Sequence, residues 1–174
     1  MKKIVRKAPM WMLMFCPYIF ILDMVILGEK REIAGVPLFY LYCAFAMVVC
    51  VINWINAFTY KSEKIAKDLA FWSMMIKLVH IPFYILVYMF GILMLPSMLF
   101  VPMTFITPII ILFLVVVDLF FMITSSIYAI KGVWTAKKQE RVSKGLAVVL
   151  TIFSFAFVGD VICAIVFYRK MRKN

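Results

Sequence analysis

Apolar residues run through this chain in long, nearly unbroken stretches, and polar residues gather in the short intervals between them. The longest stretch, Phe71–Ile130, is interrupted by charge or imidazole only at Lys77, His80 and Asp118. A membrane-spanning helix needs about 20 apolar residues, so this stretch holds two spans. Pro96, Pro102 and Pro108 fall between them and mark the turn. Taken in order, the pattern predicts spans at about 9–28, 38–58, 71–95, 105–130 and 145–168. The expected fold class is an all-α, polytopic transmembrane helix bundle of five spans, one transmembrane domain covering 1–174.

Prolines and short polar segments punctuate the runs. Pro17 and Pro82 sit inside predicted helices, where each removes a backbone N–H. The carbonyls of Leu13 and Leu78, four residues earlier, lose their usual donors, and a kink is expected at each. Gly28–Pro37 reads as a loop in which Glu29 and Glu32 balance Lys30 and Arg31. Ser62 reads as an N-cap and Glu63 with Lys67 as an i,i+4 pair, so the third helix is expected to begin outside the membrane. The basic start followed by Pro9–Gly28 resembles a signal peptide only superficially. The apolar run is too long and no small-residue cleavage site follows, so it reads as an uncleaved first span.

Composition sharpens the choice of solvent. Hydrophobic residues make up 67% of the chain, against roughly 45–50% in soluble domains. The mean hydropathy is +1.07. A net charge of +11 would suggest nucleic acid on a soluble protein. Here the cations flank apolar runs, where they orient the chain and meet the anionic headgroups of the lipid bilayer, so no nucleic-acid partner is expected. Cys16, Cys43, Cys50 and Cys163 all lie inside apolar runs and read as small packing residues rather than disulfides or metal ligands.

The distribution of Lys and Arg sets an orientation. With the N-terminus cytoplasmic, the inner segments carry Lys2, Lys3, Arg6 and Lys7, then Lys61, Lys64 and Lys67, then Lys131, Lys137, Lys138, Arg141 and Lys144. This agrees with the positive-inside rule. The basic tail, Arg169–Lys173, violates it if the fifth segment crosses. A re-entrant fifth segment would remove the violation, but 145–168 is too short for two full spans, and five crossings remain the reading.

Charges at bilayer depth cost roughly 2.5–3.5 kcal/mol each on insertion scales and mark candidate sites. Asp23, Lys77, Asp118 and Asp160 are the candidates. Ser73, Lys77, His80, Tyr84 and Tyr88 recur at helical spacing and form one polar stripe on the third span. Asn53 and Asn56 share a face of the second span. At 1.5 Å per residue, Lys77 lies roughly 9 Å and His80 roughly 14 Å from the inner end of the span, and Asp118 lies near the midplane. Asp23 and Asp160 fall in the outer third. An inner cluster of Asn53, Asn56, Lys77, His80 and Ser125 is the geometric expectation. Lys77 and Asp118 lean apart along their helices, so an ion pair between them is disfavoured. Lys77 has a second reading, snorkelling to the inner headgroups. Asp118 and Asp160 each stand between structural hydrogen bonding and a place on a proton, ion or ligand path. Ala156, Asp160 and Ala164, with Cys163 beside them, predict a protein-facing surface on the fifth span.

No GxGxxG, GxxxxGK[ST], GxSxG or HExxH pattern occurs, and a single histidine without CxxC argues against a metal site. No cofactor and no enzymatic activity are expected.

Three segments, KLVHIPFYILVYMFG (Lys77–Gly91), TSSIYAI (Thr124–Ile130) and DVICAIVFYRK (Asp160–Lys170), resemble an uncharacterised family of small integral membrane proteins of Firmicutes-type bacteria. The resemblance covers most of the chain and implies a bacterial plasma membrane. It carries no activity, ligand or site residue with it. The functional expectation is a non-enzymatic membrane subunit, accessory and partner-binding or self-assembling with further copies. The alternative is a small transporter or channel, or the substrate-binding membrane subunit of a larger transporter. It would use Ser73, Lys77, His80, Tyr84, Asp118, Asp160, Asn53 and Asn56 as a ligand or ion path.

Overall fold

A computed structural model describes residues 7–27, 35–62, 64–99, 103–156 and 159–173. Lys2, Lys3, Arg6, the loop charges Glu29–Glu32, Glu63, Pro102 and the side chain of Asp23 lie outside the described residues. The described chain is helical: α1 (Ala8–Leu27), α2 (Gly35–Thr59), α3 (Ile65–Met94), a 3₁₀ turn (Leu95–Leu99), α4 (Met103–Lys138), α5 (Lys144–Phe153) and α6 (Gly159–Lys173).

Among the described residues, three helices are long and apolar enough to cross a membrane, within α2, α3 and α4, rather than the five expected. Shorter apolar stretches are Ala8–Ile19 of α1 and the whole of α5. The fifth predicted span is a broken helix. α5 ends at Phe153, the chain turns through Ser154, Phe155 and Ala156, and a new helix starts at Gly159. A Cβ on Gly159 would lie 3.1 Å from both Ala156 Cβ and Phe153 Cδ1. A side chain there would press on both neighbours, which would have to give by a few tenths of an ångström.

α6 then runs back toward the end from which α5 came. Near its C-terminus, Phe167 and Met171 pack with Ala66 and Ala70 at the start of α3 and with Val133 and Ala136 at the end of α4. The contact is close: a Cβ on Gly132 would meet Phe167 Cε1 at 3.0 Å and Leu69 Cβ at 3.1 Å. α5 and α6 are therefore a helical hairpin, and the basic tail sits at the same end of the bundle as Lys61, Lys64 and Lys67 and as Lys137, Lys138 and Lys144. Lys7 joins them, its Nζ 5.8 Å above the Trp72 ring. The single fifth spanning helix expected is corrected by this return: the segment is two shorter helices. The sequence argument required two full-length passes, whereas α5 and α6 have only 10 and 15 residues.

The loop before the hairpin is a C-cap. Arg141 N–H donates to Ala136 O and Glu140 N–H to Lys137 O, each at 3.0 Å, with Glu140 at φ 58°. This is the Schellman pattern, and Ser143 then caps α5. The N-cap of α3 differs from expectation. Lys64 occupies it, while Ser62 Oγ donates to Asp68 Oδ2 at 2.5 Å.

α3 is the centre of the bundle, packed against α1, α4 and α6. The outward faces are apolar, with Phe15, Tyr40, Leu41, Phe45, Val48, Ile55 and Phe58 all exposed. Apolar side chains exposed in such number fit association with a membrane.

Candidate functional site

The predicted polar stripe of α3 exists, but its members serve different neighbours. Ser73, Lys77 and His80 are buried and Tyr84 is half-buried. Lys77, only 1% exposed, does not snorkel. Its ammonium forms an ion pair with Asp160 at the start of α6 and approaches Ser126 Oγ of α4 at 3.4 Å. Ser126 in turn donates to Ser154 O at 2.7 Å. That carbonyl lies where the fifth segment breaks. A buried carbonyl freed at a helix break needs a partner, and Ser126 supplies it. The four residues tie the hairpin tip to α3 and α4.

Asp160 does face protein, at 3% exposed, and Ala164 shares its buried face. Two expectations about it are corrected. Ala156 lies in the turn and is exposed rather than flanking Asp160 on a helix. Asp160 is also level with Lys77, not in the outer third, because the hairpin carries it inward. As expected, Lys77 is paired with a group other than Asp118.

His80 turns to the opposite side. Its Nε2 lies 3.0 Å from Leu13 O of α1. A carbonyl can only accept, so Nε2 carries the hydrogen. Leu13 O is the acceptor that Pro17 frees. Tyr18 returns the contact, donating to Val79 O of α3. The carbonyl that Pro17 frees and the Tyr18 hydroxyl thus fasten α1 to α3. The expected polar partner from the second or fourth helix is replaced by this one from the first, and α4 offers only the Phe121 ring, 6.0 Å away edge-on. His80 Nδ1 and Ser73 Oγ are buried without hydrogen-bond partners.

Asn53 and Asn56 form a third, separate group. Tyr128 of α4 donates to Asn53 Oδ1 at 2.7 Å and accepts from Asn56 Nδ2 at 3.1 Å. Nearby, Trp54 Nε1 donates to Thr124 Oγ1 at 3.1 Å. Ser125 bonds only Met122 O of its own helix. The single inner cluster expected is therefore three clusters on three helix interfaces. Sequence reasoning missed the α4 contributors Thr124, Ser126 and Tyr128. Their signal was the short polar interruption TSSIY in an otherwise apolar run.

Asp118 belongs to none of these. It is 8% exposed and its Oδ1 has no hydrogen-bond partner. It lines a cleft of about 860 Å³ between the halves of α3 and α4 nearest the 3₁₀ turn, closed below by Val161 and Ile162 of α6. Tyr84, Tyr88, Ile81, Ile85, Gly91 and Ile92 form the α3 wall, and Ile111, Leu114, Val115 and Leu119 form much of the α4 wall. Asp118 is the one charged residue in this apolar lining.

A family model described as "Family of unknown function (DUF6652)" matches residues 3–173. No curated protein and no solved structure matches the chain.

Proposed function

Because the chain belongs to this family of unknown function, we propose its role from the geometry: a non-enzymatic, multi-pass membrane subunit that works by binding. In this reading it resides in a bacterial plasma membrane, with the N-terminus and the basic end of the bundle cytoplasmic. The observation that carries it is the use of the polar seam. Lys77, Asp160, Asn53, Asn56 and His80 are engaged in contacts between helices, and the large cleft reaches neither Lys77 nor His80. A packed, cross-braced interior supports a binding role over a polar conduit. The test is native purification with identification of co-purifying proteins and small molecules. A stoichiometric companion is the expected result, and solute flux through reconstituted protein would overturn the reading.

The orientation is supported by the gathering of basic residues at one end. In a cysteine-free background, cysteines placed at Gln139 and at Asn174 should both resist an impermeant thiol reagent in intact cells. Labelling at Asn174 alone would mean that the fifth segment crosses. A second reading, a small transporter or the substrate-binding membrane subunit of a larger one, is favoured by one observation, the unpartnered Asp118 in its cleft.

A further inference from the structure

Among the described residues, the cleft between α3 and α4 offers a ligand both space and an unsatisfied group. Its volume, about 860 Å³, falls in the range of small-molecule sites, and its wall is mostly apolar with two tyrosines and one acid, the usual pattern of such a site. The unsatisfied group is the acid. Asp118 Oδ1 is buried without a donor. A carboxylate in apolar surroundings gains most from a cation, which restores what burial removed.

Depth selects the kind of cation. Asp118 is fifteen residues into α4, roughly 22 Å along the helix from its start, so a lipid ammonium held at the headgroups does not reach it. A compact ammonium would also lose its full hydration on the way in. A cation whose charge is spread over aromatic groups loses less. Tyr84 and Tyr88 stand in the same wall and present rings of the type that attract cations.

We propose that the cleft between α3 and α4 is a binding site for freely diffusing, delocalised lipophilic cations, with Asp118 as the counter-charge. The site rests on the binding role proposed above and gives it a ligand class. Nothing need be transformed: the cation enters from the lipid side, its apolar groups fill the cleft, and its charge faces the carboxyl.

Tetraphenylphosphonium is the probe, titrated by equilibrium dialysis against the full chain in nanodiscs. Tetraphenylborate, of the same shape and opposite charge, is the control. The expected result is saturable binding of the cation at one site and none of the borate. Asp118→Asn should weaken cation binding at least about tenfold, and Asp118→Glu should keep most of it. Gly91→Phe tests the location without touching the acid. A Cβ at Gly91 meets nothing within 4 Å, so the new ring enters the cleft and should abolish binding in a folded protein. Absence of saturable cation binding, equal binding by folded Asp118→Asn, equal binding of the borate, or unaffected binding by Gly91→Phe would each overturn the proposal. A partner that co-purifies while tetraphenylphosphonium fails would leave the broader binding role standing and remove only the cation.

Discussion

The basic half of the bundle and the outer half treat buried charge in opposite ways. In the basic half, Lys77 meets Asp160, Ser126 satisfies the broken backbone at Ser154, and Tyr128 bridges Asn53 and Asn56. In the outer half, Asp118 lines an apolar cleft and its buried oxygen has no donor. Both halves lie on the same two long helices. What differs is the third element between them: α6 fills the space beside Lys77 and brings a counter-charge, whereas beside Asp118 it only floors an opening. A paired charge in this protein marks helix assembly.

Substitutions can break this contrast. The largest effect is expected from Asp160→Leu, which leaves the Lys77 ammonium buried and alone. A loss of about 3–5 kcal/mol is expected, read as a lowered thermal midpoint in detergent. Adding Lys77→Met should recover most of that loss, because an apolar replacement of both partners removes the uncompensated charge. If the double variant is no better than the single, the pair is not what holds the hairpin.

Gly132→Val should come next. The new side chain enters the contact with Phe167 and Leu69, with an expected cost of about 1–3 kcal/mol. It should also release α6, read as new protease sensitivity near Arg169. Tyr128→Phe removes the hydroxyl shared by Asn53 and Asn56. About 1–2 kcal/mol is expected, without any change in protease sensitivity of the tail. The smallest effect belongs to Asp118→Asn. No bond holds the carboxyl oxygen, so stability should change by less than about 0.5 kcal/mol or rise. A loss as large as that of Asp160→Leu would erase the distinction between the two halves.

Much of this was legible in the chain. The apolar runs located the helices of the bundle, and helical spacing put Ser73, Lys77 and His80 on one face of α3. The positions of Pro17 and Pro82 announced which carbonyls would be free. The protein-facing side of Asp160 could be read from Ala164. The basic tail conflicted with a fifth crossing, and that conflict was itself a sign of the hairpin.

Partners were not legible. Hydropathy reports the solvent a residue prefers, residue by residue along a line, and a lysine in an apolar run looks the same whether it snorkels or is paired. Leu13 O and His80 were each visible as groups in need of a bond, yet nothing local joins α1 to α3. The depth of Asp160 was misjudged because 145–168 was taken as one straight helix. The sequence by itself determined which segments are helical, which prefer lipid and which end of the bundle is basic, because those follow from local apolarity and charge. Only the tertiary structure decided that the fifth segment turns back, because that depends on Phe167 fitting against Gly132 and on Ser126 capping a broken backbone. Those contacts join residues distant in the chain, where no local pattern connects them.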